Sequence, residues 1–118
     1  MSPTFVFDEN RQIKLIVGAK GGPRIITSTL QTILNVIDGN MSLSDAVHYR
    51  RIHHQWMPDQ IFYEAGTLAP TTVHSLEAKG HKLTEKRRPL GSVQAIMRVG
   101  EHWEGVSDTR SEGKPLGL

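Results

Sequence analysis

Three glycines in five residues, Gly18, Gly21 and Gly22, followed by Pro23 and Arg24, form the stretch of this chain best suited to chemistry. A hydrophobic β-rich run (Ile13, Leu15, Val17) leads into it and a helical pattern leads out. Glycine admits backbone conformations closed to other residues and lets the backbone approach a ligand closely. A proline opening the helix sacrifices no hydrogen bond, because the N–H groups of the first turn have no helical partner. Free N–H groups at such a junction suit a bound anion, or negative charge that develops during a reaction. Two nucleotide loops are excluded by spacing. A Walker loop needs Gly-Lys-Ser/Thr where Pro23-Arg24 follows the last glycine, and Gly18-x-x-Gly21-Gly22 does not fit Gly-x-Gly-x-x-Gly. A phosphate cradle, an oxyanion hole and a tight turn without a ligand all remain open on the loop alone.

Other reactive side chains are sparser. His48, His53 and His54 cluster in sequence. A two-histidine metal site on a helix needs an i, i+4 pair, which is not their spacing, and adjacent histidines on a strand point to opposite faces. No metal site is expected from them. Asp108 and Arg110 fit a structural ion pair, since no nucleophile accompanies them. Arg24, one turn into the helix, can anchor a neighbouring segment or recognise a substrate carboxylate. Trp56 and Trp103 are expected to pack.

The elements that must position these residues follow from patterning. At 118 residues the chain has room for a single core. Its 37% hydrophobic and 22% charged content is that of a globular protein rather than a disordered tail. No apolar run is long enough to span a bilayer, and the residues after Met1 are not expected to act as a signal peptide. Cysteine is absent, which excludes disulfides and thiolate metal sites. The net charge is +2, with basic residues concentrated in Lys79–Lys82 and Glu85–Arg88. No aromatic residue is interleaved with them, so a solvated loop is expected and nucleic acid is not an expected partner.

Thr4–Phe7 and Ile13–Val17 read as strands of a hairpin, joined by Asp8-Glu9-Asn10-Arg11. Pro23–Asp38 reads as the strongest helix, with Ile26, Leu30, Ile33, Leu34 and Ile37 recurring at helical steps and Gly39 as its stop. Ser42-Leu43-Ser44-Asp45 is a shortened capping box that starts a helix to about Tyr49. Arg51–His54 and Gln60–Glu64 are extended around a Trp56–Asp59 turn. Pro70–Lys79 forms a third helix; His81–Thr84, Ser92–Val99 and His102–Val106 are strands; Ser111 onward is a frayed polar tail. An α+β fold follows, with antiparallel strands and helices packed on the sheet. The beginning of the chain offers little to cover the sheet edge, which suggests an incomplete domain.

Several blocks, in order, resemble the C-terminal part of the small subunit of the γ-glutamyltransferase (glutathione hydrolase) family of N-terminal nucleophile hydrolases. They are Met1–Thr4, Gly18–Thr27, Arg51–Asp59, Leu76–His81, Leu90–Ile96 and Ser107–Arg110. The resemblance implies a portion of an αββα sandwich over residues 1–110, with 111–118 as a tail. It implies that Gly21 and Gly22 match the paired glycines that donate backbone N–H groups to the oxyanion of acyl transfer. Ala19-Lys20 stands where the family usually has Ser-Pro, so the turn loses a rigid residue and gains a cation. Arg50-Arg51-Ile52-His53 replaces Pro-Arg-Phe-His, and Asp108-Thr109-Arg110 replaces Asp-Pro-Arg; both changes read as drift in structural motifs.

The family's threonine nucleophile, its serine pair for the substrate α-carboxylate and its acidic α-amino ligand precede the Met1–Thr4 block. Ser2, Thr4 and Thr27 lie in none of those motifs. The implied reading is a fragment, inactive alone, of an enzyme that transfers a γ-glutamyl group from glutathione and related amides. Its partners would be the large subunit and the N-terminal part of the small subunit, or further copies of itself. Its substrate in the complete enzyme would be a small γ-glutamyl compound, with no cofactor or metal. The location implied is periplasmic or extracellular. A non-catalytic interaction module and a β-lactam acylase relative are the alternative expectations.

Overall fold

The computed structural model describes residues 3–117, which divide into two compact units: residues 3–49 with 91–117, and Arg50–Leu90. In the first unit, β1 (Thr4–Phe7), β2 (Ile13–Lys20), β6 (Ser92–Val99) and β7 (His102–Ser107) form an antiparallel sheet in the order β1-β2-β6-β7. Helices α1 (Arg24–Ile37) and α2 (Leu43–His48) connect β2 to the second unit in sequence. In that unit, β3 (Ile52–His53), β4 (Ile61–Glu64) and β5 (Leu83–Lys86) form a second sheet, with α3 (Pro70–Ala78) between β4 and β5. The β4–β5 pair is parallel, as a helical crossover allows; every other strand pair is antiparallel.

The β1–β2 turn is fixed by Asp8, whose carboxylate accepts from the N–H groups of Asn10 and Gln12 at 2.9 Å. Alternate residues of β2 and β6 then face the helices. Leu15, Val17 and Ala19 meet Val93 and Ala95 from the sheet, with Val36 of α1 and Leu43, Ala46 and Val47 of α2 above them. Ser42 caps α2 as its sequence suggests, its hydroxyl oxygen accepting from the Asp45 N–H at 3.1 Å.

Helix α1 forms where the periodicity puts it but buries a face other than its apolar stripe. Its buried residues are Ser28, Thr29, Thr32 and Val36, whereas Ile26 is 73% exposed and Leu30, Leu34 and Ile37 are also exposed. Ile33 alone of the apolar stripe packs partly on the core. Small hydroxylated residues let the helix approach the sheet closely, and Thr32 satisfies its hydroxyl by donating to the Ser28 carbonyl at 2.9 Å. The period was readable; the direction of the buried face was not.

The sheet face away from the helices carries a cross-strand row of Phe5, Ile16 and Ile96, with Phe5 and Ile96 exposed. A groove of about 330 Å³ lies along it, lined by Ile16, Gly18, Gln94, Ile96 and Gly105 among others. Residues 111–117 have no helix or strand, and Pro115 approaches Gly105 at this face.

Two further expectations are corrected. Trp56 is 79% exposed and Trp103 half exposed, so neither packs as a core residue; Trp56 has a positive φ of 69° in an exposed turn. Strand β5 begins at Leu83 and includes Glu85 and Lys86, because pairing with β4 continues to Lys86. Lys86 lies over the Phe62 ring at 4.4 Å, an attraction between cation and ring face that explains why part of this basic run is ordered. No helix among the described residues is long and apolar enough to cross a membrane.

Candidate functional site

Strand β2 runs through Gly18 and Ala19 and ends at Lys20, which pairs with Ser92. The turn therefore consists of Gly21, Gly22 and Pro23, shorter than the glycine spacing suggests. Gly21 has φ 137° and Gly22 φ 61°, both in the region that disfavours residues with a Cβ. Pro23 is the N-cap of α1, and Arg24 is its first residue. The Gly21 carbonyl accepts from Arg24 N–H at 3.3 Å and the Gly22 carbonyl from Ile25 N–H at 3.1 Å. Both carbonyls are thus turned toward the helix. Among the described residues, no acceptor is found for the Gly21 or Gly22 N–H. Two adjacent unpaired donors at a helix start can hold an anion or a developing oxyanion.

Arg24 is half-buried in the first turn of α1 and forms no ion pair among the described residues. Gly91 and Ser28, which carry no role in the sequence reading, border the turn. A Cβ placed on Gly21 would lie 2.9 Å from the Gly91 Cα. The sequence signals for Gly91 are its position directly before the β6 run and its place in the Leu90–Ile96 block of family resemblance.

A second structure holds the other end of this region. Asp108 is fully buried; its Oδ2 accepts from Val93 N–H at 2.9 Å, and its own N–H donates to the Val93 carbonyl at 3.0 Å. The Arg110 guanidinium donates to Asp108 Oδ1 at 3.1 Å and to the Tyr49 carbonyl at 3.0 Å, with the Val47 and His48 carbonyls at 3.3 Å. The expected Asp108–Arg110 pair is therefore present. It fixes the start of β6 and supplies a cation to the C-terminal carbonyls of α2.

The histidines have separate local partners. His48 Nδ1 lies 2.8 Å from the Ser44 carbonyl, His54 Nε2 lies 3.1 Å from Asp59 Oδ1, and the buried His53 reaches Gln55 Oε1 at 2.8 Å. Among the described residues, no group of three potential ligands could hold a metal ion.

Comparison with known proteins places this chain in a family. The γ-glutamyltranspeptidase family model matches residues 1–118. The chain belongs to the γ-glutamyltranspeptidase family. The glutathione hydrolase proenzyme of Escherichia coli K12 is 44% identical over 113 residues, covering 94% of this chain but 19% of that protein. A corresponding proenzyme from Pseudomonas sp. strain A14 is 42% identical over 117 residues, covering 99% of this chain and again 19% of the relative. The crystal structure of a mutant Helicobacter pylori γ-glutamyltranspeptidase superposes with a TM-score of 0.87 at 38% identity, over 94% of this chain and 61% of the solved chain.

The family assignment and the α+β class read from the sequence both stand. The chain is a γ-glutamyltransferase-type, N-terminal nucleophile hydrolase segment that spans about a fifth of the length of these curated relatives. Helices packed against antiparallel strands are shared with the solved members.

Proposed function

We propose that this chain supplies the oxyanion-stabilising turn of an enzyme that transfers or hydrolyses γ-glutamyl groups. The observation that carries the reading is the pair of unpaired N–H groups on Gly21 and Gly22, in the sequence block that matches the family's glycine motif. In the complete enzyme, a threonine hydroxyl outside this segment attacks the γ-glutamyl carbonyl. The carbonyl oxygen becomes an oxyanion held by these donors, and collapse expels the amine to leave an acyl-enzyme. Water or an amino acid amine then takes the acyl group. Arg24 is assigned to substrate recognition, where its unpaired guanidinium suits a carboxylate.

Residues 1–110 are assigned to the C-terminal portion of the small subunit and 111–118 to its tail, with a periplasmic or extracellular location by family likeness. Two apolar surfaces support a partner: the outer stripe of α1 and the open sheet face around Phe5 and Ile96. The large subunit and the rest of the small subunit are the proposed cover, since surfaces of this kind mark interaction sites.

Incubating the pure chain with a chromogenic γ-glutamyl anilide tests the fragment reading. No turnover is expected, because donors without a nucleophile do not break the bond; activity that survives repurification would overturn it. In the complete enzyme, Gly21→Ala, whose Cβ would lie 2.9 Å from the Gly91 Cα, should displace the donors and lower kcat by roughly a hundredfold with a smaller change in KM. A change confined to KM would instead assign the turn to ground-state binding.

A further inference from the structure

We propose that Gly91 is a positioning residue that sets the placement of the Gly21-Gly22 donors through direct backbone packing. The proposal rests on the oxyanion reading and deepens it. The β2–β6 ladder ends with Lys20 opposite Ser92, so the chain segments carrying Gly21 and Gly91 leave the sheet side by side. They are close enough that a Cβ on Gly21 would meet the Gly91 Cα at 2.9 Å. From the other side, a Cβ on Gly91 would lie 2.6 Å from Ser28 Oγ, 3.2 Å from the Lys20 carbonyl oxygen and 3.5 Å from Ser28 Cβ.

These three neighbours surround the donor turn. Lys20 immediately precedes Gly21, and Ser28, itself buried, lies in the second turn of the helix that follows Gly22. Gly91 also has φ 82°, which a residue with a Cβ resists. The nearest neighbour of a methyl group here is the hydroxyl of buried Ser28, which has little room to turn away, and the next is a backbone carbonyl. The clash falls on a backbone carbonyl and on a short hydroxyl fixed to α1. Relief requires the end of β2, the start of α1 or β6 to shift, and the first two carry the donors. Misplacing a catalytic group by about 1 Å costs about a hundredfold in rate. Gly91 touches no reacting atom in this account; it acts by filling no space.

The test uses the complete enzyme containing this segment, with a γ-glutamyl anilide as substrate and a γ-glutamyl boronic acid as tetrahedral mimic. Gly91→Ala should lower kcat about a hundredfold, leave KM within a few-fold and weaken the boronate in step with kcat. Ser28→Ala added to Gly91→Ala removes the nearest atom and should restore at least tenfold of the lost kcat. Gly100→Ala is the control: Gly100 has φ 62° and open space around its Cβ direction, so it reports backbone strain without collision, and kcat should hold. Should Gly91→Ala not accumulate folded, Ser28→Val presses on the same contact from the helix and should reproduce the loss of kcat and boronate affinity.

Unchanged kcat in folded Gly91→Ala, alongside a large loss in Gly21→Ala, overturns the positioning role and leaves the oxyanion reading intact. Unchanged kcat in folded Gly21→Ala itself overturns the oxyanion reading. A Gly91→Ala defect that Ser28→Ala does not relieve, with KM and kcat falling together, assigns Gly91 to general folding and overturns the proposal.

Discussion

The sheet unit with α1 and α2 buries leucine, valine and alanine, whereas the Arg50–Leu90 unit buries Arg51, His53 and Glu64 beside Leu90. In the first, cohesion comes from apolar area removed from water and is spread over nine buried residues on two strands and two helices. In the second, much of it converges on one carboxylate. Glu64 accepts from Arg51 N–H at 3.0 Å through Oε2 and from Leu90 N–H at 2.9 Å through Oε1, tying three distant points of the sequence together. Helix α3 of that unit buries none of its residues. The comparison teaches where damage should spread: a distributed core yields gradually, and a single buried anchor fails as a unit.

The largest effect is expected at that anchor. Glu64→Ala strands two buried N–H donors at once and removes the charge that strengthens both bonds. A loss of about 4 kcal/mol, local to residues 50–90, follows from the usual worth of hydrogen bonds to charged groups. Hydrogen exchange of the β3 and β4 amides should accelerate while β2 and β6 keep their protection. Equal acceleration in both sheets would show that the two units melt together and would break the comparison.

Next comes the distributed core. Leu15 is fully buried at the centre of β2, and Leu15→Ala leaves a cavity between sheet and helices. Roughly 3 kcal/mol is expected from lost transfer energy and incomplete collapse. The exchange pattern should be the reverse of that for Glu64→Ala, with β2 and β6 opening first. Thermal melts read by near-ultraviolet circular dichroism give the same ranking from a second direction.

These regions also differ in how far they were legible in the sequence. The distributed unit has long elements with strong local signals: the Asp8 turn, the Ser42 cap and the β6–β7 hairpin around Gly100 all lie where patterning puts them. Its miss is one of direction. In α1, periodicity locates an apolar stripe without saying what it faces; Ser28 and Thr32 face the sheet because close approach favours small side chains. Nothing in a single helix's pattern says which of two layers its apolar face meets. The polar unit was legible mainly in its helix. Strand β5 lies two residues beyond its expected start because pairing with β4, a tertiary choice, sets its ends. Trp56 was expected to pack because large aromatics usually bury area, yet its turn leaves it in solvent. Of the candidate site, the glycine turn before α1 was readable from spacing, and the family resemblance singled out Gly21 and Gly22 within it. The role of Gly91 was not readable, since its constraint is a close approach between segments seventy positions apart in sequence, visible only when both are placed.

The smallest effect on folding is expected on the outer face of α1, and it sharpens the comparison by separating stability from association. Between Arg24 and Asp38 the helix carries no charge, and Ile26, Leu30, Leu34 and Ile37 line its exposed side. Leu30→Gln replaces a half-exposed leucine with a residue of similar length and good helix propensity. Because it opens no cavity and strands no buried polar group, it should change stability by no more than about 0.5 kcal/mol. The unfolding midpoint of the isolated chain should barely move. Association should respond strongly if this stripe meets a partner, because a buried interface position then receives an unpaired amide. Light scattering of the isolated chain across a concentration series should report smaller species for Leu30→Gln than for the parent sequence. In the complete enzyme, the same change should weaken the hold of the surrounding polypeptide on this segment, read as faster exchange of α1 amides. A variant with unchanged association and unchanged α1 exchange would make the stripe a solvent-facing surface, leaving the open sheet face around Phe5 and Ile96 as the site where a partner sits.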